Sequence, residues 1–174
     1  MSITRALDLE QKDLDELRGL TLPNGTFQRT LDLLQEHLKI RHKPGCEARL
    51  KHLAVDVFLL TYVMRLRDSD GNLIAWMLYT WGSGDVPWGW HIGVFVAPAH
   101  RRKGRGTKLV KTARKVVTLF GHRLVAQVHD ELSAAFYRKL GFQVPEKITS
   151  TMTTVFWEPP PKESMSSSKC DDIS

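Results

Sequence analysis

Between Trp90 and Val128 an apolar stretch, "WHIGVFVA", leads into a basic turn that carries two glycines one residue apart. An amphipathic helix and a second short apolar stretch, "RLVAQV", follow. A strand–helix–strand passage of this kind is a crossover, and it requires two parallel strands in one sheet. In the helix, Leu109, Val110, Ala113, Val116, Val117 and Phe120 share one face, and Lys108, Lys111, Arg114 and Lys115 share the other. Gly121 fits the position just past its end. Asp130 fits the cap of a following helix, which is expected to bury Leu132, Ala135 and Phe136 and to stop at Gly141.

The rest of the chain is read around this crossover. The first third reads mostly helical: Leu14, Leu17 and Leu20 recur after Asp13, and Phe27, Leu31, Leu34 and Leu38 lie at helical spacing. "VFLLTYVMRLR" and "LIAWMLYTW" flank Asp70-Gly71, which predicts a hairpin. The run "ITSTMTTVFW" predicts a last strand. The order gives a mixed α/β sheet with helices on both faces. One domain is expected over 1–158, with a helical part over 1–52. The polar stretch 159–174 is expected to be a disordered tail.

The chain of 174 residues carries a net charge of +6. Between Pro87 and His129 there are nine Lys or Arg and no Asp or Glu, so the remainder stands at −3. Basicity concentrated in this way points to a local anionic partner. Cys46 and Cys170 are far apart in the chain and the second lies in a polar tail, so no disulfide framework is expected; the N-terminal segment carries acids where a leader needs an apolar run, and no run is long enough to span a membrane. A cytoplasmic protein is expected. No Cys, His or acidic group has metal-ligand spacing, so no metal is expected.

The turn "RRKGRG" joins a strand end to a helix start, where backbone N–H groups and the helix dipole favour phosphate oxygens. The nucleoside-triphosphate loop fails here, because Thr107 and Lys108 come in reversed order and no glycine stands five residues before Gly106. The dinucleotide fingerprint fails too, since Leu109 stands where its third glycine belongs.

What remains, R-x-x-G-x-G after V-x-P, resembles the GNAT superfamily of acetyl-CoA-dependent N-acetyltransferases. "VAPAHRRKGRGTKLV" matches its coenzyme motif at Val96, Pro98, Arg101, Gly104, Gly106 and Leu109. "SAAFYRKLGF" is similar to a second motif, with Tyr137, Leu140, Gly141 and Phe142 in register. The resemblance is sharp from Trp88 to Phe142.

It implies the GNAT fold, with a central sheet of about six to seven strands. It implies that a bulged strand splays from its parallel neighbour, so that the backbone of Val94, Phe95 and Val96 meets the pantetheine arm. Arg101, Arg102, Lys103, Gly104, Arg105, Gly106 and Thr107 would hold the diphosphate, and Asp130 stands at a further cofactor position. Tyr137 would be the general acid. Trp90 occupies the place of a common catalytic Glu, which leaves His91 as the titratable base candidate on that strand. The expected partners are acetyl-CoA and an amine of a small molecule or protein, with the chain a monomer or homodimer. Two alternatives stand beside this. One is a GNAT-fold, phage-like protein that binds coenzyme A but acts by binding another protein. The other is nucleic-acid binding through the basic 101–115 segment.

Overall fold

The computed structural model describes residues 1–20, 31–32, 34–36, 39, 61–82, 89–148 and 153–161. Among these residues six strands form one sheet in sequence order: β1 Ser2–Arg5, β2 Thr61–Arg67, β3 Leu73–Gly82, β4 Gly89–Val96, β5 Leu124–Val128 and β6 Thr153–Trp157. All neighbours are antiparallel except β4 and β5. That parallel pair is the crossover expected from the sequence. The described helices are α1 Gln11–Leu20, α2 Arg105–Phe120 and α3 Glu131–Lys139.

Local chemistry accounts for the joints. At the β2–β3 hairpin the Asp68 carboxylate accepts from the amides of Asp70 (3.0 Å) and Asn72 (2.9 Å), while Gly71 takes a φ of 84°. α2 ends as the sequence predicts. Gly121 adopts φ 69°, its amide reaches Thr118 O, and His122 N reaches Val117 O. α3 begins in a reciprocal capping box between Asp130 and Ser133.

The sheet divides two apolar layers. On one face Met64, Met77, Tyr79, Ile92 and Ala126 meet Leu109, Val110, Ala113 and Val117 of α2 and Ala134 and Tyr137 of α3. On the other, Val63, Trp76 and Leu78 meet Leu14 and Leu17 of α1 and the helical residues Leu31 and Leu34. Helices thus cover both faces.

Three sequence expectations are corrected. The first is the first third, which is not all helical: Ser2–Arg5 adds an edge strand to β2. Four residues of mixed polarity carry no period that would reveal it. The second concerns α3, whose buried positions are Ala134 and Tyr137, while Leu132 is 68% exposed and Ala135 is exposed too. The box fixes the helix start, and that rotation turns Leu132 outward. The third is Phe120, 65% exposed at the very end of α2, past the sheet edge of the helical stripe. Phe27, Leu38, residues 57–60, 149–152 and 162–174 lie outside the described residues.

Candidate active site

The parallel pair opens into a fork. β4 pairs with β5 only through Trp90↔Leu124, His91↔Val125 and Ile92↔Ala126, although β4 continues to Val96 and β5 to Val128. Beyond Ile92 the facing edges have no partner strand among the described residues. Backbone polarity along β4 follows from two bonds: Trp90 N donates to Arg123 O toward β5, and Ala97 N donates to Ile74 O toward β3, both at 3.0 Å. Since direction alternates, Val94 and Val96 turn their backbone groups into the fork. Phe95 turns its own toward β3 and does not offer them to a ligand there, contrary to the sequence expectation. Val96 O is already engaged, accepting from Arg101 Nε at 3.1 Å.

The expected bulge is also absent. The β3–β4 register runs without a shift from Gly82↔Gly89 to Ala75↔Val96. The splay arises on the β5 side, where β5 stays paired with β6 along all five of its residues. With no bulge, alternation is unbroken. Trp90 lies on the α2 face, stacked on Tyr79 at 4.2 Å and donating its Nε1–H to His122 Nδ1 at 3.2 Å. His91 lies on the α1 face, with Phe95.

The basic turn sits at the fork's mouth. Arg102 (φ 61°) and Gly104 (φ 73°) take left-handed conformations on either side of Lys103. Such alternation makes successive amides converge into an anion-binding concavity. The amides of Arg102 through Thr107 donate to no acceptor among the described residues, whereas Arg101 N and Lys108 N, on either side, are bonded to Pro98 O and Gly104 O. Six adjacent unmatched donors at a helix start suit a group rich in anionic oxygens, such as a diphosphate.

The two glycines serve different ends. A β-carbon on Gly104 would meet nothing within 4 Å, and its positive φ is what requires glycine. At Gly106 a β-carbon would come 3.3 Å from Phe136 Cζ and 3.5 Å from Val94 Cγ1. The Phe136 ring, expected only as a core residue, therefore stands beside the first turn of α2, where it and Val94 leave little room for a side chain. Of the cations, Lys103 Nζ turns back onto Ala99 O at 3.0 Å. Arg102 is exposed, and Arg105 Nε is buried without a partner among the described residues.

Tyr137 is 6% exposed and packs edge-on against Phe136 and Phe142. Burial pushes its hydroxyl well above the ordinary phenol range, which already leaves a tyrosine protonated at neutral pH. Asp130 uses its carboxylate as the α3 cap, accepting from Ser133 N at 2.7 Å. The structure thus gathers Val94, Val96 and residues 101–107 around the fork mouth. His91 stands on the far face of β4 from Tyr137.

A forked parallel pair with bared amides at its mouth and a protonated tyrosine on the adjoining helix fits a transferase for acyl groups carried on a diphosphate-bearing coenzyme. A model of the acetyltransferase (GNAT) family matches residues 27–142. Aminoglycoside N(6')-acetyltransferase type 1 of Acinetobacter haemolyticus is 32% identical over 127 residues, which is 66% of this chain and 88% of that protein. Spermidine/spermine N-acetyltransferase SpeG of Vibrio cholerae superposes with a TM-score of 0.58 at 18% identity, over 90% of this chain and 91% of that one. The N-acetyltransferase YlbP of Bacillus subtilis, in complex with coenzyme A, does so with a TM-score of 0.53 at 17% identity, over 91% and 96%.

The chain belongs to the GNAT acetyltransferase family. It is an N-acetyltransferase with acetyl-CoA as its co-substrate.

Proposed function

We propose that the chain transfers the acetyl group of acetyl-CoA to a primary amine of a small molecule, with the fork and the 102–107 amides as the coenzyme seat. The observation that carries this reading is the run of unmatched donors at the mouth of an unpaired strand edge. The bound coenzyme supplies an activated thioester carbonyl. The chain's own groups do the rest. Amides 102–107, with Arg102 and Arg105, neutralise the diphosphate. Val94 N–H, Val94 O and Val96 N–H bind the amide-bearing arm as an added strand would. Arg101 gives the fork its upper limit by holding Val96 O.

Tyr137 donates its proton to the departing thiolate. His91, on the opposite face of β4 from Tyr137, takes the ammonium proton, leaving a nucleophilic neutral amine. Asp130 acts through its cap, by fixing where α3 starts and hence where Tyr137 stands.

The acceptor of the A. haemolyticus relative is an aminoglycoside amine by its name, so aminoglycosides lead the amine panel to try, with polyamines and a peptide N-terminus beside them. The test is calorimetric titration with acetyl-CoA followed by thiol release across that panel. Micromolar binding and turnover with one amine class are expected. Absence of coenzyme binding would remove the reading.

A further inference from the structure

Helical spacing puts Lys108, Lys111, Arg114 and Lys115 on the outer face of α2. The three lysines are exposed there, but Arg114 is half-buried and turns inward. Its guanidinium carbon lies 4.2 Å from the centre of the Trp157 ring of β6. Its Nη1 donates to Leu140 O at 3.0 Å. Trp157 and Leu140 are both buried.

Leu140 is the residue on which α3 ends. Two amides close that end onto Tyr137: Leu140 N donates to Tyr137 O at 3.0 Å, and Phe142 N donates to the same oxygen at 3.1 Å. Just beyond, Gln143 N donates to Phe156 O of β6 at 2.7 Å. The turn that carries Tyr137 is thus tied from outside, to β6 through Gln143 and to α2 through Arg114.

Packing alone does not ask for a guanidinium here. A methionine would lay a similar stem on Trp157 with no charge to desolvate. What the guanidinium adds is direction: it is planar, it stacks on the indole, and its N–H groups point along fixed lines. Leu140 O is therefore held at one place relative to α2. The first turn of α2 is the proposed seat of the diphosphate, so Arg114 fixes the helix bearing the proton donor against the helix bearing the coenzyme.

We propose that Arg114 is a positioning residue for Tyr137. It sets how α3 lies against α2, and so where the phenol meets the departing sulfur. The inference rests on the reading of Tyr137 as the general acid. In the step it serves, the Tyr137 O–H proton passes to that sulfur, and the phenolate left behind is reprotonated from water.

The test is a double-mutant cycle on kcat in the full chain, with the best amine of the panel. Arg114→Met should lower kcat about tenfold and leave KM for acetyl-CoA within about twofold. In a Tyr137→Phe background the same substitution should cost less than about twofold, because the group it positions is gone. Equal losses in both backgrounds, or none in either, overturn the inference: the clamp then serves stability alone. Full turnover in Tyr137→Phe overturns the acid reading, and the inference with it. Arg114→Lys keeps a cation but not the planar fork, and its kcat should fall between those of the wild type and Arg114→Met. The same cycle on Arg114→Lys decides the matter if circular dichroism shows the methionine variant unfolded. A second readout needs no substrate. In the chain labelled with carbon-13 at tyrosine Cζ, the Tyr137 resonance, assigned by its loss in Tyr137→Phe, should shift in the Arg114 variant and stay in place in Lys115→Met. An unmoved resonance in the Arg114 variant also overturns the inference.

Discussion

Tyr137 and Gly104 show what single residues contribute. Tyr137 is buried among apolar groups, and its hydroxyl carries a proton at neutral pH as any phenol does. Tyr137→Phe keeps the ring contacts with Phe136 and Phe142. It should lower kcat by ~10²-fold, within the range of a lost general acid, with little change in KM for acetyl-CoA. Steady-state kinetics with both substrates varied checks the split. Gly104→Ala adds a β-carbon that touches nothing, so its cost is conformational, about 1 kcal/mol for a left-handed alanine. Denaturant unfolding should show that loss, and acetyl-CoA affinity should fall further than stability does, because the amide cup is distorted. Both residues were legible in the sequence because their spacing is fixed by local geometry. Gly106 was legible as a position, though not for its cause. What crowds a side chain there is Phe136, thirty residues away, and no pattern in the chain announces that neighbour.

At the level of elements, α3 depends on its cap. Asp130→Ala should cost about 1 kcal/mol of stability, as measured by chemical denaturation. Hydrogen bonds from the Ser133 side chain and backbone hold the Asp130 carboxyl below the usual aspartate range. Its folded pKa is thus below its unfolded one, so the cap's contribution is complete above the ordinary carboxylate range and fades as pH falls through the depressed folded value. Asp130→Asn should keep most of the cap at neutral pH and lose that acid dependence, which unfolding curves at pH 7 and pH 3 would reveal. The helices and hairpin were readable because their periods and punctuation are local. The face of α3 was misjudged because Leu132 and Phe136 are more apolar than Ala134. The box, not hydrophobicity, sets the rotation. The point where β4 leaves β5 was unreadable for a different reason: pairing length depends on a neighbour, and β5 stays with β6.

For the molecule as a whole, charge and topology converge on one end. The window from Pro87 to His129 holds nine cations and no acid, and the strand–turn–helix joint puts four of them, Arg101, Arg102 and Lys103 in the turn and Arg105 at the first residue of α2, by the fork mouth. Coenzyme affinity should therefore weaken several-fold as salt is raised from ~50 to 200 mM, because screening shortens to below the length of the ligand's charged end. Calorimetry at the two ionic strengths checks this, with dephospho-coenzyme A showing the smaller loss. The sequence located this pole but not which sheet face the base candidate occupies. That follows from the uninterrupted β3–β4 register, which puts Trp90 and His91 on opposite sides. Phe136 of α3 and Val94 of β4 both crowd the place where a side chain on Gly106 would stand. Three elements thus meet at the first turn of α2, so that end of the socket is set by packing before anything enters, and less ordering remains to oppose the coenzyme when it docks.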